Sequence, residues 1–169
     1  MAWTDSRVFT QAVLSPLTAS AWSTAEPTTY GANGLSADSL AVTLWNNSIT
    51  PDRDAAVAST GYNTGAWASG ANEQKDATNW PAGGASNLLA SKTYTLGTSV
   101  VAFDAADRAG NGNVTLANVF GCLVHDDTIT AGTVAKQGMC FNYFGGSNGV
   151  TGGTFTIIWD STGILKFTT

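Results

Sequence analysis

Few residues in this chain could start chemistry: one histidine, two cysteines and twelve carboxylates. His125 stands directly before Asp126 and Asp127. An imidazole beside two carboxylates suits a general base or part of a metal shell. One histidine and two separated cysteines, Cys122 and Cys140, do not supply a usual structural zinc set. Asp52-Arg53-Asp54 and the Asp104/Asp107 pair lack the run of oxygen ligands that a calcium loop needs. Nothing in the sequence fixes the carboxylate separation that glycoside hydrolysis requires. Gly145-Gly146-Ser147-Asn148-Gly149 spells G-x-S-x-G, but a nucleophile elbow needs a strand, a sharp turn and then a helix. Here the segment after Ser147 runs into another strand, and the single histidine precedes the serine. The expectation is a non-enzymatic chain with no catalytic residue, metal or cofactor.

The elements that would carry these residues are strands. From Val119 to Thr169 the chain reads as four β-branched or aromatic runs: VFGCLVHDD, MCFNYFGG, TFTIIWD and ILKFTT. The first three end in Asp or Gly. Within TFTIIWD, Phe155, Ile157 and Trp159 share one face. Asp160-Ser161-Thr162-Gly163 then predicts a hairpin into ILKFT, with glycine at positive φ. Residues 39–45 form the first clear strand, with Leu40, Val42 and Leu44 on one face. Residues 88–96 and 99–104 read as two more. Cys122 and Cys140 fall in different strands and read as buried free thiols, a cross-strand disulfide being the alternative. These runs predict a mainly β fold, an antiparallel β-sandwich or flattened barrel of about seven or eight strands.

Two regions break this pattern. Residues 1–34 read as a helical arm and linker, distinct from a sandwich domain over 35–169. Thr4 or Asp5 would cap a short helix over Ser6–Leu14, with Val8, Phe9, Ala12 and Val13 on one face and Pro16 ending it. The helix either packs on its own sheet or docks on a partner. Residues 52–87 carry little periodicity but hold Tyr62, Trp67 and Trp80. Long loops of this kind carry contacts or function. With Trp45 these aromatics offer a sugar-stacking platform, a subunit contact or core.

Composition narrows the function classes. Charged residues are 11% of the chain and the net charge is −5, with seven basic residues scattered from Arg7 to Lys166. That argues against nucleic acid, which takes clustered Lys and Arg. No apolar run approaches a membrane-spanning helix, so no membrane partner is expected. The N-terminus lacks a basic region followed by an apolar core, so synthesis in a reducing cytoplasm is expected. The sequons at Asn46 and Asn113 then carry no meaning. The place of charge is taken by Gly, Ala, Ser, Thr and Asn, the texture of a surface that meets neighbours.

Four stretches carry a resemblance: LAVTLWNNSITPD (Leu40–Asp52), STGYNTGAW (Ser59–Trp67), VVAFDAAD (Val100–Asp107) and the run from Phe120 to Ile164. In order and texture they resemble small virion structural proteins of tailed bacteriophages, of the head-decoration or minor-capsid type. The likeness covers about residues 38–168. It implies a non-enzymatic protein on the capsid surface, made in the bacterial host and bound to the major capsid protein lattice as a homo-oligomer or symmetric array. The alternative is a tail-associated or receptor- or carbohydrate-binding virion module. The expected contact residues are Val8, Phe9 and Val13 of the arm and Tyr62, Trp67 and Trp80 of the long loop.

Overall fold

The computed structural model describes residues 3–10, 12, 38–70, 72–84, 86–110, 112–130 and 134–168. Ten strands are seen among them: β1 (Arg7–Val8), β2 (Leu40–Trp45), β3 (Glu73–Gln74), β4 (Thr93–Gly97), β5 (Val100–Asp104), β6 (Arg108–Ala109), β7 (Val114–Asp126), β8 (Gly138–Gly153), β9 (Thr156–Ile157) and β10 (Leu165–Thr168). All pair antiparallel. They form a five-stranded sheet β1-β8-β7-β2-β3, a three-stranded sheet β10-β5-β4 and a two-stranded ribbon β6-β9. The fold is mainly β and sandwich-like, with no closed barrel. The count exceeds the expected seven or eight because β1, β3, β6 and β9 have two residues each, too short to show a sequence period.

The five-stranded sheet lies in the middle, and the register explains why. Val42 pairs with Val124, and Val124 with Cys140. Cross-strand partners share a face. Leu40, Val42, Leu44, Cys122, Val124 and Cys140 therefore line one face, where they pack against Phe103 and Leu165 of the small sheet. Thr43, Trp45, Leu123 and Phe141 line the other face. That face is roofed by Trp3, Phe9, Ile49 and Trp67. So β2 is buried at all six positions. The alternation read into it separates two interiors, not inside from outside.

The roof corrects the reading of the N-terminal arm. Arg7 and Val8 are strand, pairing with Phe141 and Cys140 on the edge of β8. The helical conformation starts later, at Thr10 and Ala12. An open sheet edge presents unpaired N–H and C=O groups, and satisfying them outweighs a few residues of helix. Trp3 and Phe9 are buried in the same body as the sheet, so residues 3–10 are part of the sandwich rather than an appendage. Val13 lies outside the described residues.

The C-terminal hairpin is also corrected. The turn forms: Gly163 takes φ +107 and its N–H donates to the Asp160 carbonyl at 2.8 Å. Its two arms then diverge, because β9 pairs with β6 while β10 pairs with β5.

Candidate docking surface

The expected contact residues are largely interior. Trp67 and Trp80 are each 1% exposed, and Phe9 is fully buried. Trp67 sits among Trp3, Phe9 and Trp45 in edge-to-face contacts with centroids 5.5–6.0 Å apart. Trp80 meets Phe155 edge-on and carries the Arg108 guanidinium over its ring at 5.4 Å. Val8 is half-buried and packs on the sheet–sheet core. These rings are core and are not available for stacking on a partner. Truncating either tryptophan to alanine costs about 3–5 kcal/mol of stability, read by urea denaturation. The sequence could not show this, because a glycine-rich loop without periodicity gives no sign that it folds back as a roof.

Tyr62 belongs to a packed polar cluster. Its hydroxyl donates to Glu73 Oε2 at 3.0 Å, and the Gly83 N–H donates to Glu73 Oε1 at 2.8 Å. Its ring stacks on His125 with centroids 5.2 Å apart, and Lys136 Nζ lies 5.6 Å from the ring centre. Burial and the Glu73 charge push the Tyr62 phenol up to about 12. Lys136 in turn pairs with Asp127 at 2.5 Å.

His125 is fully buried inside this cluster. Burial, only partly offset by the Asp127 charge, holds its pKa down at about 4. Asp127 Oδ1 is 3.9 Å from His125 Nε2, beyond hydrogen-bond length, and neither ring nitrogen is hydrogen-bonded. The imidazole is therefore neutral near pH 7 and closed off from solvent. Ser147 is exposed inside β8, with its Oγ 3.4 Å from Asn118 Oδ1. Gly145 takes φ +78, but the chain continues as strand β8 on both sides of Ser147, so no strand–turn–helix elbow forms. Among the described residues no three His, Cys, Asp or Glu converge as a metal shell.

The surface carries a different set of apolar side chains. Tyr94, Val101 and Phe167 are 38–44% exposed. Tyr94 pairs with Phe103, Val101 with Phe167, and Phe103 with Leu165. All five share one face of the small sheet. Phe103 and Leu165 sink into the core, while Val101 and Phe167, two residues further along, reach solvent. The face is therefore an apolar stripe that continues past the edge of the body it covers. The period of two in a strand puts alternate residues on one face. It could not say that the layer beneath ends part-way along.

A second feature is a groove of about 430 Å³ lined by Tyr143, Phe144, Asn148, Phe155, Thr156 and Ile158. Ile158, 76% exposed, is the most open large apolar side chain described. Beside it, Gly145 and Gly146 of β8 have no neighbouring atoms where a side chain would stand. The groups turned outward here are apolar and small polar ones. Comparison with known families, curated proteins and solved structures finds no match to this chain.

Proposed function

We propose that this chain is a non-enzymatic structural protein of a tailed-phage virion that binds the assembled capsid lattice and decorates it. The observation that carries the reading is the unpartnered apolar stripe of Tyr94, Val101 and Phe167 on an open three-stranded sheet. Apolar surface left in water favours association. The low charge of the chain supports it, since charge is depleted at the centres of interfaces. The stretches that carry the phage resemblance form β2 and its following turn, the roof over the central sheet, β5, and the β7–β9 region. A decoration protein that binds assembled shell better than free subunits shifts the shell toward assembly. The site of action in this reading is the capsid surface, in a symmetric array with the major capsid protein.

The test is co-sedimentation of the purified chain with assembled shells and with unassembled capsid subunits, together with its copy number in purified particles. Saturable binding to shells and many copies per particle support decoration. A handful of copies moves the chain to the tail or a vertex. The groove beside Phe144 and Phe155 favours a second reading, a receptor- or carbohydrate-binding virion module, because aromatic rings beside Asn148 and Thr156 suit sugar rings and hydroxyls. A glycan-binding screen that quenches tryptophan fluorescence would favour this reading over decoration.

A further inference from the structure

A separate cleft of about 300 Å³ opens where β1 meets β10. Its buried lining is aliphatic and thiol: Cys140, Ile164 and Leu165, with half-buried Val8 beside them. Its exposed lining includes Arg7, Arg53 and Lys166. Nine residues line the cleft, and they include three of the chain's seven basic residues and none of its twelve acidic ones. In an acidic chain whose cations are otherwise spread out, this is a local inversion of charge around an apolar floor.

The nearby carboxylates do not use up these cations. Arg7 reaches Asp5 through Nη2 at 2.7 Å, and Arg53 reaches Asp54 through Nε at 3.2 Å. Both pairs are solvent-exposed, where such contacts hold weakly and exchange. Asp54 is engaged on its other oxygen by Thr10 Oγ1 at 2.6 Å, which holds it on the arm side. The terminal nitrogens of Arg53 have no partner among the described residues. A guanidinium has five donors in a planar fork that fits a carboxylate bidentately. Lys166 makes no ion pair within 4 Å among the described residues; the exposed Asp160 carboxylate, whose pKa the Lys166 charge helps to lower, stands further off.

We propose that this cleft docks an acidic peptide segment of a protein partner, with a carboxylate on the cationic rim and a neighbouring aliphatic side chain on the floor. The charge of the lining selects the acid, and Ile164 and Leu165 select the aliphatic neighbour. The assignment stands on the cleft alone and does not require that the partner be a capsid protein.

The test is a titration of the ¹⁵N-labelled full chain with the peptide acetyl-Gly-Asp-Leu-Asp-Gly-amide, followed by amide resonances. Saturable shifts should appear at Ser6–Val8, Arg53, Cys140–Asn142 and Ile164–Lys166, and should vanish in about 1 M salt, where screening shortens to about 3 Å. The double substitution Arg7→Gln with Arg53→Gln should weaken binding at least about tenfold. Those side chains are exposed, so the thermal midpoint should hold and separate lost binding from lost fold. Absence of saturable shifts overturns the proposal. So do equal shifts from the Asn-Leu-Asn counterpart, or from inorganic phosphate, which would mark a site blind to carboxylate-bearing peptide. Concentration-dependent self-association that the double substitution abolishes would make a second copy the occupant and would also overturn it.

Discussion

At the residue scale the interior holds ionisable groups whose burial moves them in opposite directions. Asp126 is buried at the end of β7, with the Asp38 carboxyl against its own. Burial, with the neighbouring Asp38 carboxyl, raises Asp126 to about 7. The unfolded chain would ionise there near 4. Between those values the folded form holds a proton that the unfolded form has lost, so stability falls as pH rises from about 4 to 7. The same window works the other way for His125. Its folded pKa of about 4 lies below its unfolded value, so stability falls as pH drops from about 6.5 to 4. The two slopes oppose each other in the wild-type chain. Asn at position 126 still accepts the Thr128 N–H that Asp126 Oδ1 holds at 2.9 Å. Asp126→Asn should therefore unmask the histidine slope, a change of at most about 1.4 kcal/mol per pH unit in urea denaturation between pH 4 and 7. An unchanged slope would mean that Asp126 is already ionised in the fold. The thiols give a second prediction at this scale. Cys122 and Cys140 are free, buried, and pushed up by burial, Cys140 to about 12. Reactivity follows the thiolate. Neither should react with iodoacetamide in the folded chain, and both should react together at the rate of unfolding.

At the element scale the central hairpin is shaped by where it omits side chains. A Cβ at Gly138 of β8 would stand 2.1 Å from the Thr60 carbonyl oxygen and 2.6 Å from the Phe9 ring. The glycine lets the roof lie directly on the sheet at that point. Gly138→Ala should push the roof away and cost about 1–3 kcal/mol or more, the usual range for overpacking. Further along the same strand, Gly146 faces open space and does not take positive φ. Gly146→Ala should change stability by no more than about 0.5 kcal/mol. Thermal unfolding of the two variants side by side checks the contrast, and equal effects would deny that the inner half of β8 is the clamped half. The sequence showed β8 as strand followed by a glycine-rich connection. The fold makes both one continuous strand over Gly138–Gly153. Irregular pairing with β7 near Asn118, a residue at positive φ, absorbs the mismatch.

At the scale of the whole molecule the inner part of the central sheet is covered on both faces, and three of the five exposed large apolar side chains described gather on the small sheet, Leu88 and Ile158 lying elsewhere. If the stripe of Tyr94, Val101 and Phe167 is the lattice contact, Tyr94→Thr, Val101→Thr and Phe167→Thr together should abolish co-sedimentation with assembled shells. The fold should survive, because threonine suits a strand and these positions are already partly in water. Retained binding by a folded triple variant would remove the stripe from the proposed function. The mainly β class, the strands β2, β5, β7 and β8, the Gly163 turn and the unpaired thiols were legible in the sequence, because period-two patterning, turn chemistry and β-branched runs are local properties of the chain. The split between covered and exposed apolar side chains was not. Trp67 and Trp80 looked like contact residues because they sit in a segment without periodicity, and Phe9 because it fell on the apolar face of an expected helical arm, while Tyr94, Val101 and Phe167 looked like ordinary strand residues. Which of two equally apolar sets is covered depends on which layer packs over which. That is settled by strand order and by the roof that residues 3–10 and 46–70 build, contacts between residues far apart in the chain that no local pattern encodes.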